Sequence, residues 1–204
     1  MFHVKHEGWG ESATALGVDV GPRMAARLDG FEQLLLARGA PMGLIAPGDV
    51  PRVRERHILD SLRAAPFVKG RTTGYDLGSG GGLPGLVLAI VLPDLALTLV
   101  EVRRNRAVFL EMVVKELQLP NVVVYNRRAE TLRERHDLCL ARAFAPLGRA
   151  WDTARPLLRD SGSLIYWAGA RFDTSTELPS DAAARVHRTP ELPGSGALIE
   201  LTPT

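Results

Sequence analysis

The sequence predicts an α/β protein in which a mostly parallel, seven-stranded sheet is flanked by helices and preceded by a helical extension. Two observations lead to this prediction. After Gly70, short apolar runs alternate with helical patterns, an order typical of βαβ units around a parallel sheet. A glycine-rich stretch then separates the first apolar run from the helix that follows it. We therefore expect an N-terminal arm and helical extension over residues 1–70 and one compact domain over residues 71–204.

Composition indicates a globular protein outside the membrane. The chain has 204 residues, of which 46% are hydrophobic and 24% are charged, as in globular proteins with a full core. The longest apolar run, Leu86–Leu92, is far shorter than the roughly 18–20 residues of a membrane span, and residues 1–6 lack the apolar stretch of a signal peptide. The single cysteine, Cys139, excludes an intrachain disulfide and is expected to be buried and inert. These features predict a cytoplasmic protein.

The extension is predicted to consist of an irregular arm and two helices. Residues 1–19 show no periodicity and are expected to form a mobile arm. A helix is predicted over Val20–Arg38, ended by Gly39, because apolar residues recur on one helical face: Met24, Leu28, Phe31 and Leu35. A second helix is predicted from Asp49, a suitable N-cap, to Ala65.

The elements of the compact domain follow from the same patterns. Strands are predicted over residues 72–77, 95–100, 121–125, 138–141 and 164–167. Helices are predicted over residues 84–92, 106–119 and 147–159, and a turn over Asp160–Ser163 precedes the fifth strand. Residues 185–187 and 197–201 are predicted to close the sheet as an antiparallel hairpin.

The most informative stretch is the glycine-rich loop after the first predicted strand, Asp76-Leu77-Gly78-Ser79-Gly80-Gly81-Gly82-Leu83-Pro84-Gly85. Glycines allow the backbone to approach a ligand closely, and the N-terminus of the next helix offers free N–H groups. Two patterns overlap in this loop. Gly80-x-Gly82-x-x-Gly85 matches the dinucleotide-binding pattern, whereas Asp76-x-Gly78-x-Gly80-x-Gly82 is the acidic, glycine-rich loop of S-adenosylmethionine-dependent methyltransferases.

Two acidic residues help to choose between these cofactors. The carboxylate of Asp76 would repel a pyrophosphate, but it can bind the amino-acid end of S-adenosylmethionine, which carries an ammonium group. Glu101 ends the second predicted strand, 19 residues after Gly82, where an acid can bind both hydroxyls of a ribose. Both cofactors contain that ribose, so Glu101 leaves a nicotinamide-dependent oxidoreductase open. Against this alternative, the chain after the sheet is too short for a substrate domain.

Four segments together resemble the glucose-inhibited division protein B family. They are Arg56–Leu62, Asp76–Gly85, Arg128–Glu130 and Ala141–Ala145, in the order and spacing of the family. Its members are bacterial class I methyltransferases, with a Rossmann-like fold, that modify N7 of one guanine in 16S ribosomal RNA. The resemblance implies S-adenosyl-L-methionine as cofactor. It implies 16S ribosomal RNA, the small ribosomal subunit or an assembly intermediate as partner, and we expect a monomer.

The resemblance also implies residues of the cofactor site. These residues are expected at the carboxyl ends of the strands, where open α/β sheets bind ligands. Ala129 and Glu130 would hold the adenine largely through backbone groups, and Arg142 would lie at the cofactor and substrate side. Gly78 and Leu83 would contact the cofactor from the glycine-rich loop. With Gly80 and Glu101, discussed above, the predicted cofactor site is Gly78, Gly80, Leu83, Glu101, Ala129, Glu130 and Arg142.

Two positions depart from the family. Ala168 stands where family members often carry a lysine, and Gly43–Ala46 replaces a common Asn-Leu-Thr. The missing lysine is the one feature in favour of a non-catalytic RNA-binding module. A methyltransferase that acts on another RNA or on a small molecule is a further alternative.

Arginine-rich loops predict an RNA-binding surface. Of the 25 basic residues 22 are arginine, and residues 101–149 contain ten Lys or Arg against six Asp or Glu. The predicted RNA-binding residues are Arg103, Arg127 and Arg128, in the loops after the second and third strands, and His57, to which the resemblance gives an RNA-facing or domain-docking role. Arg133 and Arg135 are expected to reach the same rim. Trp167 is expected either to stack on the substrate base or to belong to the core.

We predict no catalytic acid or base. Guanine N7 carries an in-plane lone pair, so methyl transfer to it needs no general base and depends on proximity and alignment. We also predict no metal site, because His3, His6, His136 and His187 show no metal-ligand spacing with one another.

Overall fold

The computed structural model describes residues 8–169, 172–173 and 178–204, and these residues form a seven-stranded sheet with helices on both faces. The strands are β1 Thr73–Leu77, β2 Ala96–Val100, β3 Val122–Tyr125, β4 His136–Arg142, β5 Leu158–Trp167, β6 Ala182–His187 and β7 Leu198–Pro203. Their order is β3-β2-β1-β4-β5-β7-β6. The first five pair in parallel, and β7 is antiparallel to both β5 and β6. The predicted α/β fold and the closing hairpin are confirmed.

Side chains of the central strands alternate between two apolar layers, as the period of two requires. On β4, Leu138 and Leu140 face one layer, whereas Cys139 and Ala141 face the other. The first layer contains α5 (Gly85–Val91) and α6 (Arg104–Glu116) together with the N-terminal extension, and the second contains α7 (Leu147–Ala154). The buried position predicted for Cys139 is confirmed.

The N-terminal arm is helical where the structure describes it, so the prediction of a mobile arm is wrong for residues 8–19. Helix α1 covers Trp9–Ala15. The Trp9 indole Nε1 donates to Asp29 Oδ1 over 2.8 Å, and the Arg54 guanidinium lies 4.0 Å from the centroid of the Trp9 ring. A seven-residue helix is marginal by itself, so these tertiary contacts stabilise it. Residues 1–7 lie outside the described residues.

The first predicted helix of the extension is confirmed, and the second is interrupted. Helix α2 covers Pro22–Leu34 and continues as one π-helical turn to Gly39. The second region divides into a 3₁₀ turn, a π-helical turn and two short helices: Pro47–Arg52, Arg54–Leu59, α3 (Asp60–Leu62) and α4 (Ala65–Val68). Pro51 lacks the N–H that a regular helix needs. Asp49 does not cap a helix; its carboxylate pairs with Arg56 Nε at 3.1 Å.

The chain after β4 also differs from the prediction. Helix α7 ends at Ala154, and after a 3₁₀ turn that contains Pro156 the strand β5 begins at Leu158. The predicted turn over Asp160–Ser163 is an irregularity within β5, because the pairing shifts from His136 with Leu158 to Leu138 with Ser163.

The extension shares an apolar core with the domain. Phe31 and Leu35 belong to the same buried cluster as Leu88 of α5 and Leu110 of α6. The division at residue 70 stays a prediction. No helix of the described residues is long and apolar enough to span a membrane.

Candidate functional site

The glycine-rich loop folds over the carboxyl end of β2. The Gly78 and Ser79 amides donate to Val100 O over 2.9 and 3.0 Å. Gly78, Gly80 and Gly82 all have positive φ, at +70°, +54° and +87°, a conformation that side chains rarely adopt. A Cβ at Gly80 would lie 3.7 Å from Gly78 O and 3.9 Å from Arg106 Nη1, at ordinary van der Waals distance. At Gly80 it is therefore the backbone conformation, and not a close neighbour, that favours glycine.

Glu101 lies between this loop and the residues that follow β2. Its side chain is almost fully buried; Oε2 accepts from the Gly80 amide over 3.0 Å and Oε1 from the Arg103 amide over 2.7 Å. Asn126 Nδ2 donates to Glu101 O over 2.8 Å. A carboxylate can accept about four hydrogen bonds, so two acceptor positions are left over. The arrangement fits the two hydroxyls of a ribose and thus a nucleoside cofactor.

Asp76 has a different role from the one we expected. Its carboxylate is buried behind the loop, and Oδ2 accepts from the Gly85 amide over 3.2 Å. A Cβ at Gly85 would lie only 2.6 Å from that oxygen, so glycine allows this approach. Asp76 therefore fastens the loop to α5 and does not face the ligand side. The single sequence reveals the acid but not the direction of its side chain.

Burial raises the pKa of Asp76 to about 7, although the hydrogen bond from the Gly85 amide opposes this shift. Since the unfolded value is about 3.9, the folded state binds more protons than the unfolded state between about pH 4 and pH 7. The stabilising contribution of protonated Asp76 is therefore complete below about pH 4 and is lost as the pH rises through 7.

We expect Asp76→Asn to remove this pH dependence. The free energy of unfolding of the wild type should fall relative to that of the variant between pH 4.5 and 7.5, by at most about 4 kcal/mol. Urea unfolding at both values measures the effect, with Asp94→Asn, an exposed carboxylate, as control. If the free energies of unfolding of wild type and Asp76→Asn differ by the same amount at both pH values, the raised pKa of Asp76 is contradicted.

Arg142 joins the end of β4 to the N-terminal extension. Its Nη1 donates to His57 O and Ser61 Oγ, each over 3.3 Å, and its Nη2 donates to Arg56 O over 2.9 Å. Asp60 Oδ2 forms an ion pair with Nη2 at 3.2 Å. The guanidinium therefore docks the extension against the sheet, and it also lines a cavity of about 920 Å³ at this edge.

His57 takes part in the same docking contact and is neutral. A guanidinium has donors only, so Arg142 Nη2 donates to His57 Nδ1, 3.1 Å away. The ring proton is then on Nε2, which faces Asp49 Oδ2 at 3.3 Å. Burial and, next, the positive charge of Arg142 lower the pKa of His57, in agreement with this assignment. Of the two roles expected for His57, these contacts serve domain docking.

Trp167 belongs to the core at the end of β5. Its indole Nε1 donates to Asp60 O over 2.8 Å, and its side chain is buried. The neighbouring Ala168 is buried as well, and its amide donates to Ala197 O over 3.0 Å. The position at which the family often has lysine is thus covered by the segment before β7.

The residues expected at the adenine follow β3. Ala129 is buried at the start of a 3₁₀ turn, whereas Glu130 is exposed, with Oε1 3.9 Å from Arg149 Nη2. Both line a second cavity, of about 610 Å³, between this turn and α7. Leu83 is half-buried within the glycine-rich loop. The structure thus places these residues near the same sheet edge, and their contacts with a cofactor stay a prediction.

The predicted RNA-binding arginines lie in two loops at this edge. Arg103, Arg127 and Arg128 are exposed, and Arg127 lies 5.4 Å from the centroid of the Tyr125 ring. Arg135 does not reach this rim. It precedes the first residue of β4, at the opposite end of the strand, and its Nη2 donates to Asp160 Oδ1 over 2.8 Å.

Sequence reasoning gave no role to two residues after Arg142. Ala143 has a φ of +52°, unusual for a residue with a Cβ and typical of strained positions at functional sites. Phe144 packs against the glycine-rich loop, since a Cβ at Gly78 would lie 2.7 Å from Phe144 Cδ2. The resemblance includes both residues in a motif, but no pattern in the single sequence predicts this contact.

Comparisons with known proteins show which family the chain is similar to. The family model for rRNA small subunit methyltransferase G (GidB) matches residues 24–188. A ribosomal RNA small subunit methyltransferase G of Thermobifida fusca is 43% identical over 157 residues, which are 76% of this chain and 66% of the relative. The protein of that name from Methylococcus capsulatus is 38% identical over 195 residues, 93% and 94% of the two chains.

A solved structure supports the fold alone. A Methanococcus maripaludis protein assigned to the S-adenosyl-L-methionine-dependent methyltransferases aligns with a TM-score of 0.57 at 12% identity, over 87% of this chain and 92% of that one. The strand order, the glycine-rich loop at β1 and the acid at the end of β2 are thus those of a class I methyltransferase fold. Because the family model matches residues 24–188, which are most of the chain, the chain belongs to the rRNA small subunit methyltransferase G family.

Proposed function

We propose that this protein transfers a methyl group from S-adenosyl-L-methionine to N7 of a guanine in 16S ribosomal RNA. The observation that carries the proposal is Glu101, a buried carboxylate with two acceptor positions left over, held beside the glycine-rich loop. Its place at the end of β2 suits the ribose of the cofactor. Membership of the family supports the RNA acceptor.

The cofactor, when bound, supplies an activated methyl group on a sulfonium sulfur. In the proposed site, Glu101 binds the ribose hydroxyls, and Gly78, Gly80 and Leu83 line the path of the amino-acid end. Ala129 and Glu130 hold the adenine after β3, largely through backbone groups. Arg142 completes the site indirectly, because its guanidinium orders the segment Arg56–Ser61 beside it.

Residues of this chain would act by alignment. Guanine N7 has its own lone pair, so no side chain has to remove a proton. Holding the base in line with the methyl group can contribute about 7–11 kcal/mol to lowering the barrier. A rigid edge is therefore what the reaction needs, and the Arg142 contacts and the packing of Phe144 on the loop provide one.

The RNA partner would bind across the exposed arginines. Arg103, Arg127 and Arg128 offer guanidinium groups to phosphates, and such contacts weaken as the salt concentration rises. His57 is excluded from direct phosphate binding in this proposal because it is neutral and engaged with Arg142. A monomer in the cytoplasm, where small ribosomal subunits are assembled, completes the proposal.

The experiment is methyl transfer from labelled S-adenosyl-L-methionine to small ribosomal subunits that lack the modification, followed by nucleoside analysis. We expect labelled 7-methylguanosine from the wild type. Binding of the same cofactor and of NAD is measured in parallel, and we expect binding of the first only. Cofactor binding without any labelled nucleoside would overturn the proposed acceptor, and binding of NAD would favour the oxidoreductase alternative.

A further inference from the structure

The cavity of about 920 Å³ opens at the carboxyl ends of β4 and β5. Arg142, Ala143 and Tyr166–Gly169 line its inner side. Phe144, which follows Ala143 in the chain, packs against Gly78 of the glycine-rich loop. The cavity therefore lies beside the proposed cofactor site. Ligand sites usually have volumes of about 300–1,000 Å³. The cavity is therefore large enough for a nucleotide.

The outer wall of this cavity comes from two segments that flank the matched family region of residues 24–188. One is α1 with the residue after it, and the other is Glu191–Gly196. Helix α1 is held in place by Trp9 through the hydrogen bond to Asp29 and the contact with Arg54. Arg54 is in turn paired with Asp29 at 3.0 Å. The α1 part of the outer wall is thus docked on the rest of the fold.

The lining suits a guanine nucleotide. Tyr166 and Trp167 give apolar surface at the inner side. Arg52 and Arg56 add cations that suit a phosphate, although Arg56 is also paired with Asp49 at 3.1 Å. Three carboxylates, those of Glu11, Glu55 and Glu191, also line the cavity, and no ion pair within the described residues includes them.

Carboxylates match the edge of guanine that methylation at N7 leaves free. N7 and O6 share one edge, and the N1–H and N2–H donors lie on the opposite edge. With N7 toward Ala143 and the cofactor, these donors would point to the outer wall, which carries Glu11 and Glu191. Methylation makes the base cationic, so its attraction to a carboxylate increases toward the transition state. Only such differential binding accelerates the chemical step.

We propose that α1 and Glu191–Gly196 close an acceptor pocket for the target guanosine. The guanosine leaves the stacked RNA strand and enters this pocket, where carboxylates of the outer wall bind the N1–H and N2–H groups of the base. Enzymes that modify a base commonly extrude the nucleotide in this way. This inference rests on the proposed function and adds a role for α1.

A matched pair of variants tests the pocket. Ala15 is exposed on α1 and lines the cavity, whereas its exposed neighbour Thr14 does not. We expect Ala15→Trp to fill the cavity and lower kcat/KM for the small-subunit substrate at least tenfold, with the Kd for S-adenosyl-L-methionine changed less than twofold. Thr14→Trp should keep both quantities within twofold of the wild type. Guanosine 5′-monophosphate should inhibit the wild type in competition with RNA but not with the cofactor.

The outcomes separate the pocket from the proposed function. If the wild type forms 7-methylguanosine and Ala15→Trp is as active as Thr14→Trp, the pocket is overturned and the function stands. If guanosine 5′-monophosphate competes with the cofactor instead of RNA, the pocket is overturned as well. A wild type that binds the cofactor but labels no RNA would overturn the function and the pocket together.

Discussion

Replacing Glu101 by alanine is expected to weaken binding of S-adenosyl-L-methionine at least 100-fold. Each hydrogen bond to a charged group contributes about 1.5–3 kcal/mol, and two ribose hydroxyls would lose their acceptor. The Gly80 and Arg103 amides lose theirs as well, so the loop also loses the contact that holds it against β2. Isothermal titration of the variant with the cofactor measures the effect.

Glu111→Ala is the control for Glu101→Ala, because it removes an exposed carboxylate from α6 at a distance from the loop. Its Kd should stay within twofold of the wild type. Thermal unfolding of Glu101→Ala establishes that the chain is folded at the temperature of the titration. A Kd within threefold of the wild type in the folded variant would refute the proposed ribose contact.

Replacing Arg142 by methionine is expected to lower the free energy of unfolding by about 1–3 kcal/mol, the cost of leaving a buried hydrogen-bonding group without its partner. The Arg56 and His57 carbonyls would lose a donor, whereas the Asp60 carboxylate would keep its ion pair with Arg63 Nε at 2.8 Å. Urea unfolding measures this loss. Arg149→Met, at an exposed position on α7, should change the free energy by less than about 0.5 kcal/mol.

The protonation of His57 provides a second measurement on the same variant. Arg142 both lowers the pKa of His57 through its charge and donates to Nδ1. In Arg142→Met the pKa of His57 should therefore rise, which an NMR titration of its ring protons can follow. An unchanged pKa together with unchanged stability would mean that Arg142 does not dock the extension.

Much of the candidate site could be predicted from local patterns. The loop Asp76–Gly85 and Glu101 are recognisable because glycines and an acid follow two apolar runs at the spacing of a βαβ unit. The arginines of the loops after β2 and β3 are equally visible. The exposed loops contain few tertiary constraints, so the sequence alone describes them well.

The direction of buried polar side chains could not be predicted in this way. The sequence does not indicate that the carboxylate of Asp76 faces the Gly85 amide. Arg142 is predicted at the ligand side and does line the cavity there, but its bonds to Arg56, His57 and Asp60 have no local signal. A strand pattern assigns a residue to a face of the sheet. Which partner it meets there depends on the tertiary fold: the Gly85 amide is nine residues from Asp76, whereas Arg56 is 86 residues from Arg142.

The order of the sheet strands, the glycine-rich loop and the basic character of one edge were thus determined by the sequence, because hydrophobic periodicity and glycine spacing are local properties. Tertiary structure decided the rest. Helix α1 is too short and too irregular in pattern to form by itself, and it exists because Trp9 packs against Arg54 and donates to Asp29, 20 residues further along the chain. The cavity that α1 lines also depends on these tertiary contacts, because its walls come from segments that are distant in the sequence.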